Sequence, residues 1–158
     1  MRVSTAAIDL REGDVRDLDR VDRIMADAFD SRWGEAWTRN QVIGILAVPG
    51  VWLTIAELNG RAVGFALTRG VLDEAELLLL AVMPEARRRG VGAALLRAVM
   101  ADCATRKISR IHLEVRAGND AIKLYSNSGF AKIGERRDYY RGADGRTYSA
   151  LTLHRKIA

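Results

Sequence analysis

The stretch Arg87-Arg88-Arg89-Gly90-Val91-Gly92-Ala93 carries the residue types and spacing that most directly suggest chemistry, and it falls between a strand-like apolar run and a helix-like run. The start of a helix leaves its first backbone N–H groups without intrahelical partners, and the helix dipole adds partial positive charge there, so an anion is stabilised at that point. Glycines let the anion approach the backbone closely. Three arginines add positive charge, and Arg88 and Arg89, nearest the turn, can donate charge-assisted hydrogen bonds to phosphoryl or sulfate oxygens. This pattern describes a phosphate cradle; the plainer alternative is a solvated basic loop whose glycines serve only the turn. Two other phosphate motifs do not fit. A Walker loop needs Gly-Lys-Ser/Thr, but Gly92 is followed by Ala93-Ala94. A dinucleotide fingerprint needs a small third residue and a tight strand-to-glycine turn, but position 95 is Leu95 and the seven residues Met83 to Arg89 precede the first glycine.

The elements around this stretch alternate between strand and helix patterns. A short strand near Ala6 to Leu10 precedes a helix marked by Val15, Leu18, Val21, Ile24, Met25 and Ala28. Thr38 with Gln41 three residues later forms a capping box that opens a second helix, through about Ala47. Phe29 to Trp37 becomes the loop between them. Val51 to Glu57 and Arg61 to Thr68 read as strands joined by the hairpin signal Asn59-Gly60. Glu76 to Val82 reads as a central strand covered on both faces and ended by Pro84. Val91, Leu95, Leu96, Val99, Met100 and Cys103 mark one face of a long helix, followed by a strand from Ile108 to Val115. Strand, helix, strand implies a parallel right-handed crossover. A short helix from about Asp120 to Asn127 and strands around Phe130 to Arg136 and Tyr148 to Arg155 complete the chain. The expected class is α/β (α+β): a mixed, mostly antiparallel sheet of six to seven strands with a parallel central pair and about four helices on both faces.

The spacing Arg-x-x-Gly-x-Gly at the start of a helix after a buried strand resembles the pyrophosphate-binding motif of the GCN5-related N-acetyltransferase (GNAT) superfamily. Further matches come in order: Leu113-Glu114-Val115-Arg116, Asn119, Leu124-Tyr125 with Gly129-Phe130, and Gly134-x-Arg136 with Tyr139-Tyr140. With Trp33, Trp37 and Glu76-Leu77, the pattern is similar to the ribosomal-protein-alanine N-acetyltransferases within that superfamily, over most of the chain. The resemblance implies acetyl-CoA as cosubstrate, bound by Arg87, Arg88, Arg89, Gly90, Val91, Gly92 and Ala93 with a contact from Asn119. It also implies that the Leu80-Ala81-Val82 edge pairs with pantetheine and that the N–H near Val82 polarises the thioester carbonyl.

Acetyl transfer to an amine needs a free lone pair, a stabilised oxyanion and a proton for the departing thiolate. Glu114, at the carboxyl end of a strand parallel to the central one, is the candidate base, because ligands of open α/β sheets sit on that side. Tyr125 is the candidate acid, since a phenol stays protonated at neutral pH. The alternatives are a solvent-facing carboxylate for Glu114 and a core aromatic for Tyr125. Asn119 to Tyr125 spans six residues where the family has seven, so Asn119 is a weaker cofactor contact than the cradle and can instead cap the following helix. Thr147-Tyr148 after Gly145-Arg146 replaces an acidic pair common in the alanine acetyltransferases, leaving the acceptor open between a protein α-amine, as of a ribosomal protein, and a small-molecule amine.

At 158 residues the chain is expected to form one domain, 1–158. Cys103, the one cysteine, falls on the buried helix face and reads as a core residue; His112 and His154 have no metal-type spacing, so neither a disulfide nor a metal is expected. The longest apolar run, Leu77 to Met83, is far below the roughly 18 residues of a membrane span and no signal-peptide stretch is evident, which sets the expectation of a cytoplasmic protein. A net charge of +5 favours anionic partners without choosing among phosphates, coenzymes and RNA. A non-catalytic acyl-CoA or RNA-binding module is therefore the reading from a different class, although the motifs make direct nucleic-acid binding the weaker expectation.

Overall fold

The computed structural model describes residues 7–30, 33 and 35–157. Strand β1 (Ile8–Gly13) leads through a 3-10 turn (Val15–Asp17) to helix α1 (Leu18–Ala28) and then α2 (Arg39–Leu46). Next come β2 (Val51–Leu58), β3 (Arg61–Val71) and β4 (Glu74–Val82), followed by α3 (Val91–Thr105), β5 (Arg110–Arg116), α4 (Ala121–Asn127), β6 (Ala131–Arg141) and β7 (Thr147–Lys156). The seven strands form one sheet in the order β1-β2-β3-β4-β5-β7-β6, antiparallel except for the β4–β5 pair. Helices cover both faces. Helix α1 packs on β3 and β4, and α3 crosses β1 to β4 from the other side. Gly64 allows this close approach, since a Cβ there would lie 2.9 Å from the Ala81 carbonyl oxygen and 3.1 Å from Val91.

Local signals place most of these elements. Thr38 Oγ1 accepts from the Gln41 N–H at 3.2 Å while the Thr38 N–H donates to Gln41 Oε1 at 2.7 Å, which closes the expected capping box at α2. Asn59 and Gly60 both adopt positive φ, 51° and 76°, as a two-residue hairpin turn between β2 and β3 requires. The core between the layers is filled by Ile24, Leu53, Ile55, Phe65, Leu67, Leu95, Leu96, Ile111 and Leu113, and Cys103 is fully buried among them.

Four expectations need correction. Strand β1 starts at Ile8 and runs to Gly13, with the expected start at Ala6 outside the described residues, and Val15 is exposed in the 3-10 turn. Strand β4 is not covered on both faces: Ala75, Leu77, Leu79 and Ala81 are buried, while Glu76, Leu78, Leu80 and Val82 are only half-buried. The long apolar run hides an open side, because leucine is compatible with both. The stretch between the expected strands, which end at Arg136 and resume at Tyr148, is itself mostly hairpin, with β6 reaching Arg141 and β7 starting at Thr147. Charged, exposed residues and the left-handed Asp138 at a register shift between Arg136 and Tyr140 obscure the strand alternation there.

The feature that positions the site is the parting of β4 and β5. Their parallel pairing is confined to Glu74–Glu76 against Arg110–His112. Beyond it β4 stays with β3 as far as Val82, and β5 stays with β7 as far as Arg116. A bulge at Leu78, where Leu67 faces Leu79 and Thr68 faces Leu77, inserts one extra residue into β4 just past the last paired position and re-aims the remainder of the strand. Two strand edges therefore face each other across a gap. Among the described residues, no helix is long and apolar enough to cross a membrane.

Candidate active site

The gap opens into a cleft of about 2060 Å³, walled by Glu76–Val82 of β4, the turn before α3, Leu113–Arg116 of β5, and α4. Trp33, Glu35, Tyr139, Tyr140 and Tyr148 complete the wall.

At one end lies the start of α3. Gly90 precedes the helix with φ +80°, and the Ala94 N–H donates to its carbonyl at 2.9 Å. The N–H groups of Val91, Gly92 and Ala93 thus have no acceptor within the helix. The two glycines differ in their reason. A Cβ at Gly90 would meet nothing within 4 Å, so glycine answers the left-handed backbone there and leaves room beside the helix end. A Cβ at Gly92 would come 2.8 Å from Leu124 Cδ2, so this glycine also lets α4 lie against α3.

The three arginines also differ. Arg88 borders the cleft and Arg89 is exposed outside its wall. Arg87, expected among the cofactor ligands, also borders the cleft, and its Nη2 donates to the Ala28 carbonyl at 2.8 Å and its Nε to the Val82 carbonyl at 3.3 Å, tying the ends of α1 and β4 together. The Val91 side chain is in the core, so only its backbone faces the cleft's end. A free helix start, open space at Gly90 and a β4 edge without a partner strand at Leu80-Ala81-Val82 fit a molecule with a diphosphate at one end and an extended amide-bearing arm, such as acetyl-CoA.

The other end is built from side chains. Glu114 Oε1 accepts from Arg136 Nε at 3.1 Å, with the carboxylate side chain 24% exposed. Tyr125 is buried and packs edge-on against Phe130, ring centroids 5.8 Å apart. Burial, reinforced by the negative charge of Glu35 and by Tyr140, holds its phenol well above the ordinary tyrosine value, so it remains a proton donor. Tyr140 is pushed up to about 12 by burial and then by Glu35 and Glu114.

Glu35 has no counterpart among the residues singled out from the sequence. Its carboxylate accepts from Arg116 Nε at 3.0 Å and from Asn119 Nδ2 at 3.1 Å, holding the segment between α1 and α2 against β5. Arg116 lies over the Trp33 ring at 4.0 Å, and Trp33 meets Tyr148 edge-on at 4.9 Å. Asn119 Oδ1 accepts from the Ala121 N–H at 2.9 Å, an Asx turn leading into α4, whose N-cap residue is Asp120. Thr147 Oγ1 donates to Asp138 at 2.8 Å. His112 Nε2 lies 3.8 Å from Glu76 Oε2, and among the described residues no three metal-ligating side chains cluster.

Residues 18–130 match the Acetyltransferase (GNAT) family. The [ribosomal protein bS18]-alanine N-acetyltransferase of Escherichia coli K12 is 45% identical over 89 residues, which are 56% of this chain and 60% of that protein, so the match spans less than two thirds of that relative. The crystal structure of the ribosomal-protein-S18-alanine N-acetyltransferase from Escherichia coli superposes with a TM-score of 0.86 at 30% identity, covering 96% of this chain and 95% of that one. Ard1 from Thermoplasma volcanium does so with a TM-score of 0.83 at 29% identity, over 96% and 99%. The match runs from α1 to the start of β6 and takes in the helix start, the parted strands and α4, and by it this chain belongs to the GNAT acetyltransferase family.

Proposed function

We propose that this protein transfers acetyl from acetyl-CoA to a primary amine by direct attack in a ternary complex, and that the acceptor is the N-terminal α-amine of a protein such as a ribosomal protein. The observation that carries this reading is the parting of β4 and β5 between a free helix start and the pair Glu114 and Tyr125. The N–H groups of Val91, Gly92 and Ala93, with Arg88, are suited to the diphosphate, and the Leu80-Ala81-Val82 edge to the pantetheine amides. An α-ammonium titrates near 8, so at neutral pH it must lose a proton before its nitrogen can attack; Glu114 accepts that proton directly or through water. The C–N bond forms as the C–S bond breaks, and the Tyr125 hydroxyl protonates the leaving thiolate. The nitrogen sheds its second proton as the amide forms, so of the two protons that leave the ammonium by way of Glu114 and water, one restores Tyr125 and the other is released to solvent.

Support for a protein α-amine comes from the names of the relatives above. The test mixes purified protein with acetyl-CoA and a peptide beginning with alanine, following thiol release and peptide mass. Acetylation confined to the peptide's terminus is expected. Coenzyme binding with no turnover on any amine of a broad panel would leave a non-catalytic acyl-CoA module instead.

A further inference from the structure

We propose that Glu76 recognises a second cationic group of the acceptor, next to the amine that is acetylated; the inference rests on the transferase reading above and names the acceptor class of that same site. Glu76 is the one charged residue between Ala75 and Met83, in a strand otherwise apolar over that length. An ionised side chain in such a run has a cost unless a partner or water meets it. Its carboxylate borders the cleft and is about two fifths exposed.

The carboxylates nearby each have a guanidinium partner. Glu35 is held by Arg116 at 3.0 Å and Glu114 by Arg136 at 3.1 Å. Glu76 has no guanidinium: among the described residues its ion-pair partner is His112 at 3.8 Å, and an imidazole carries charge only when protonated. Arg69, its register neighbour on β3, makes no ion pair with it.

Position supplies the rest. Glu76 is the last β4 residue in register with β5, opposite His112, and Glu114 is two residues further along β5 on the same face. A strand rises roughly 3.3 Å per residue and neighbouring strands lie about 4.8 Å apart, so the two side chains are anchored about 8 Å apart on that face. A peptide advances at most about 3.8 Å per residue, and a lysine or arginine side chain spans the remainder. An amine held at Glu114 therefore brings a cationic side chain at the acceptor's second or third residue, or the far nitrogen of a diamine, within reach of Glu76.

The experiment uses the protein with coenzyme A and measures acceptor binding by calorimetry and, with acetyl-CoA, turnover. The probes are peptides beginning Ala-Lys, Ala-Gln or Ala-Glu and otherwise identical, and 1,4-diaminobutane against butylamine. The Ala-Lys peptide is expected to bind about tenfold more tightly than Ala-Gln, and Ala-Glu more weakly still. Glu76→Gln should bring the Lys-to-Gln ratio to within about twofold while acetyl-CoA affinity stays put, and Glu76→Lys should turn the preference towards Ala-Glu. Discrimination among the amines but not the peptides would assign the subsite to small polyamines, the same chemistry from another source. Equal binding of the Lys and Gln peptides and of both amines to the native protein, or a ratio that survives Glu76→Gln, would overturn the proposal and leave acetyl transfer intact. A uniform loss of kcat on every acceptor with the ratio retained would overturn it too, by putting Glu76 in proton transfer. Discrimination in binding with no turnover on any acceptor would sink the transferase reading alone.

Discussion

At the start of α3 the groups suited to a ligand are backbone N–H groups of three consecutive residues, whereas at the far end of the same cleft they are side chains from β5, α4, β6 and the segment between α1 and α2. The first arrangement needs only a helix, a left-handed Gly90 and room. The second needs Glu35, Arg116 and Asn119 to hold one another across sequence separations of 81 and 84 residues. On the function proposed above, binding of the acyl donor depends on local backbone geometry, and handling of the acceptor on tertiary structure. Substitutions at the two ends should separate coenzyme affinity from turnover.

The largest separation is expected at the reacting groups. Glu114→Gln and Tyr125→Phe should each lower turnover by about 10²-fold or more, since each removes a proton-transfer partner. Calorimetric acetyl-CoA affinity should move less than about threefold, because neither side chain belongs to the helix start. Near-normal turnover in either variant would reassign that role. Burial also fixes a pH signature at this end. The folded protein resists ionising Tyr125 and Tyr140 while the unfolded chain loses phenol protons from about pH 10. With fewer protons on the unfolded state, unfolding free energy must fall as pH rises above that value and on through about 12 for Tyr140. Denaturant titrations at rising alkaline pH should show a shallower fall for Tyr140→Phe.

Next in size is the clamp. Arg116→Met would leave the Glu35 carboxylate, only 12% exposed, without its guanidinium, and breaking a buried pair from one side costs about 3–5 kcal/mol. Adding Glu35→Gln should recover part of that loss in urea titrations, because the stranded charge is then gone. An Arg116→Met variant as stable as the parent would mean that Glu35 finds water as readily as arginine.

How far the sequence exposes each end reflects the same contrast. The cradle is contiguous, so Arg87 to Ala93 could be found by reading along the chain, as could the capping box at Thr38 and the hairpin at Asn59-Gly60. Glu114 is reached from its place at the carboxyl end of a strand parallel to the central one, whereas Tyr125 takes its role from the family resemblance, since nothing local distinguishes a helical tyrosine. Glu35 carried no signal, because its meaning comes from partners brought to it by the fold. Composition is also silent about side-chain contacts: Arg87 has the charge of a phosphate ligand and, in addition, bridges two backbone carbonyls. The extra residue at Leu78, which parts the strands, lies inside a run of four leucines where no pattern could show it.

The smallest effects distinguish the two cradle glycines. Gly92→Ala gains about 1 kcal/mol of helix propensity while its methyl pushes aside the far end of the half-buried Leu124 side chain, so a net stability change within about 1 kcal/mol and a small loss of acetyl-CoA affinity are expected. Shortening the neighbour with Leu124→Val removes the colliding carbon; in that background Gly92→Ala should become neutral or stabilising, and acetyl-CoA affinity should recover with it. Gly90→Ala has no such rescue. Nothing lies within 4 Å of its Cβ, and what remains is the roughly 1–2 kcal/mol cost of an L side chain in the left-handed region, smaller for Gly90→Asn. A double-mutant cycle by urea unfolding and calorimetry should therefore find coupling with Leu124 for position 92 and none for position 90. If affinity stays low in the Gly92→Ala/Leu124→Val protein although the collision is gone, bare backbone at position 92 is needed by the diphosphate itself, and both glycines serve the ligand directly.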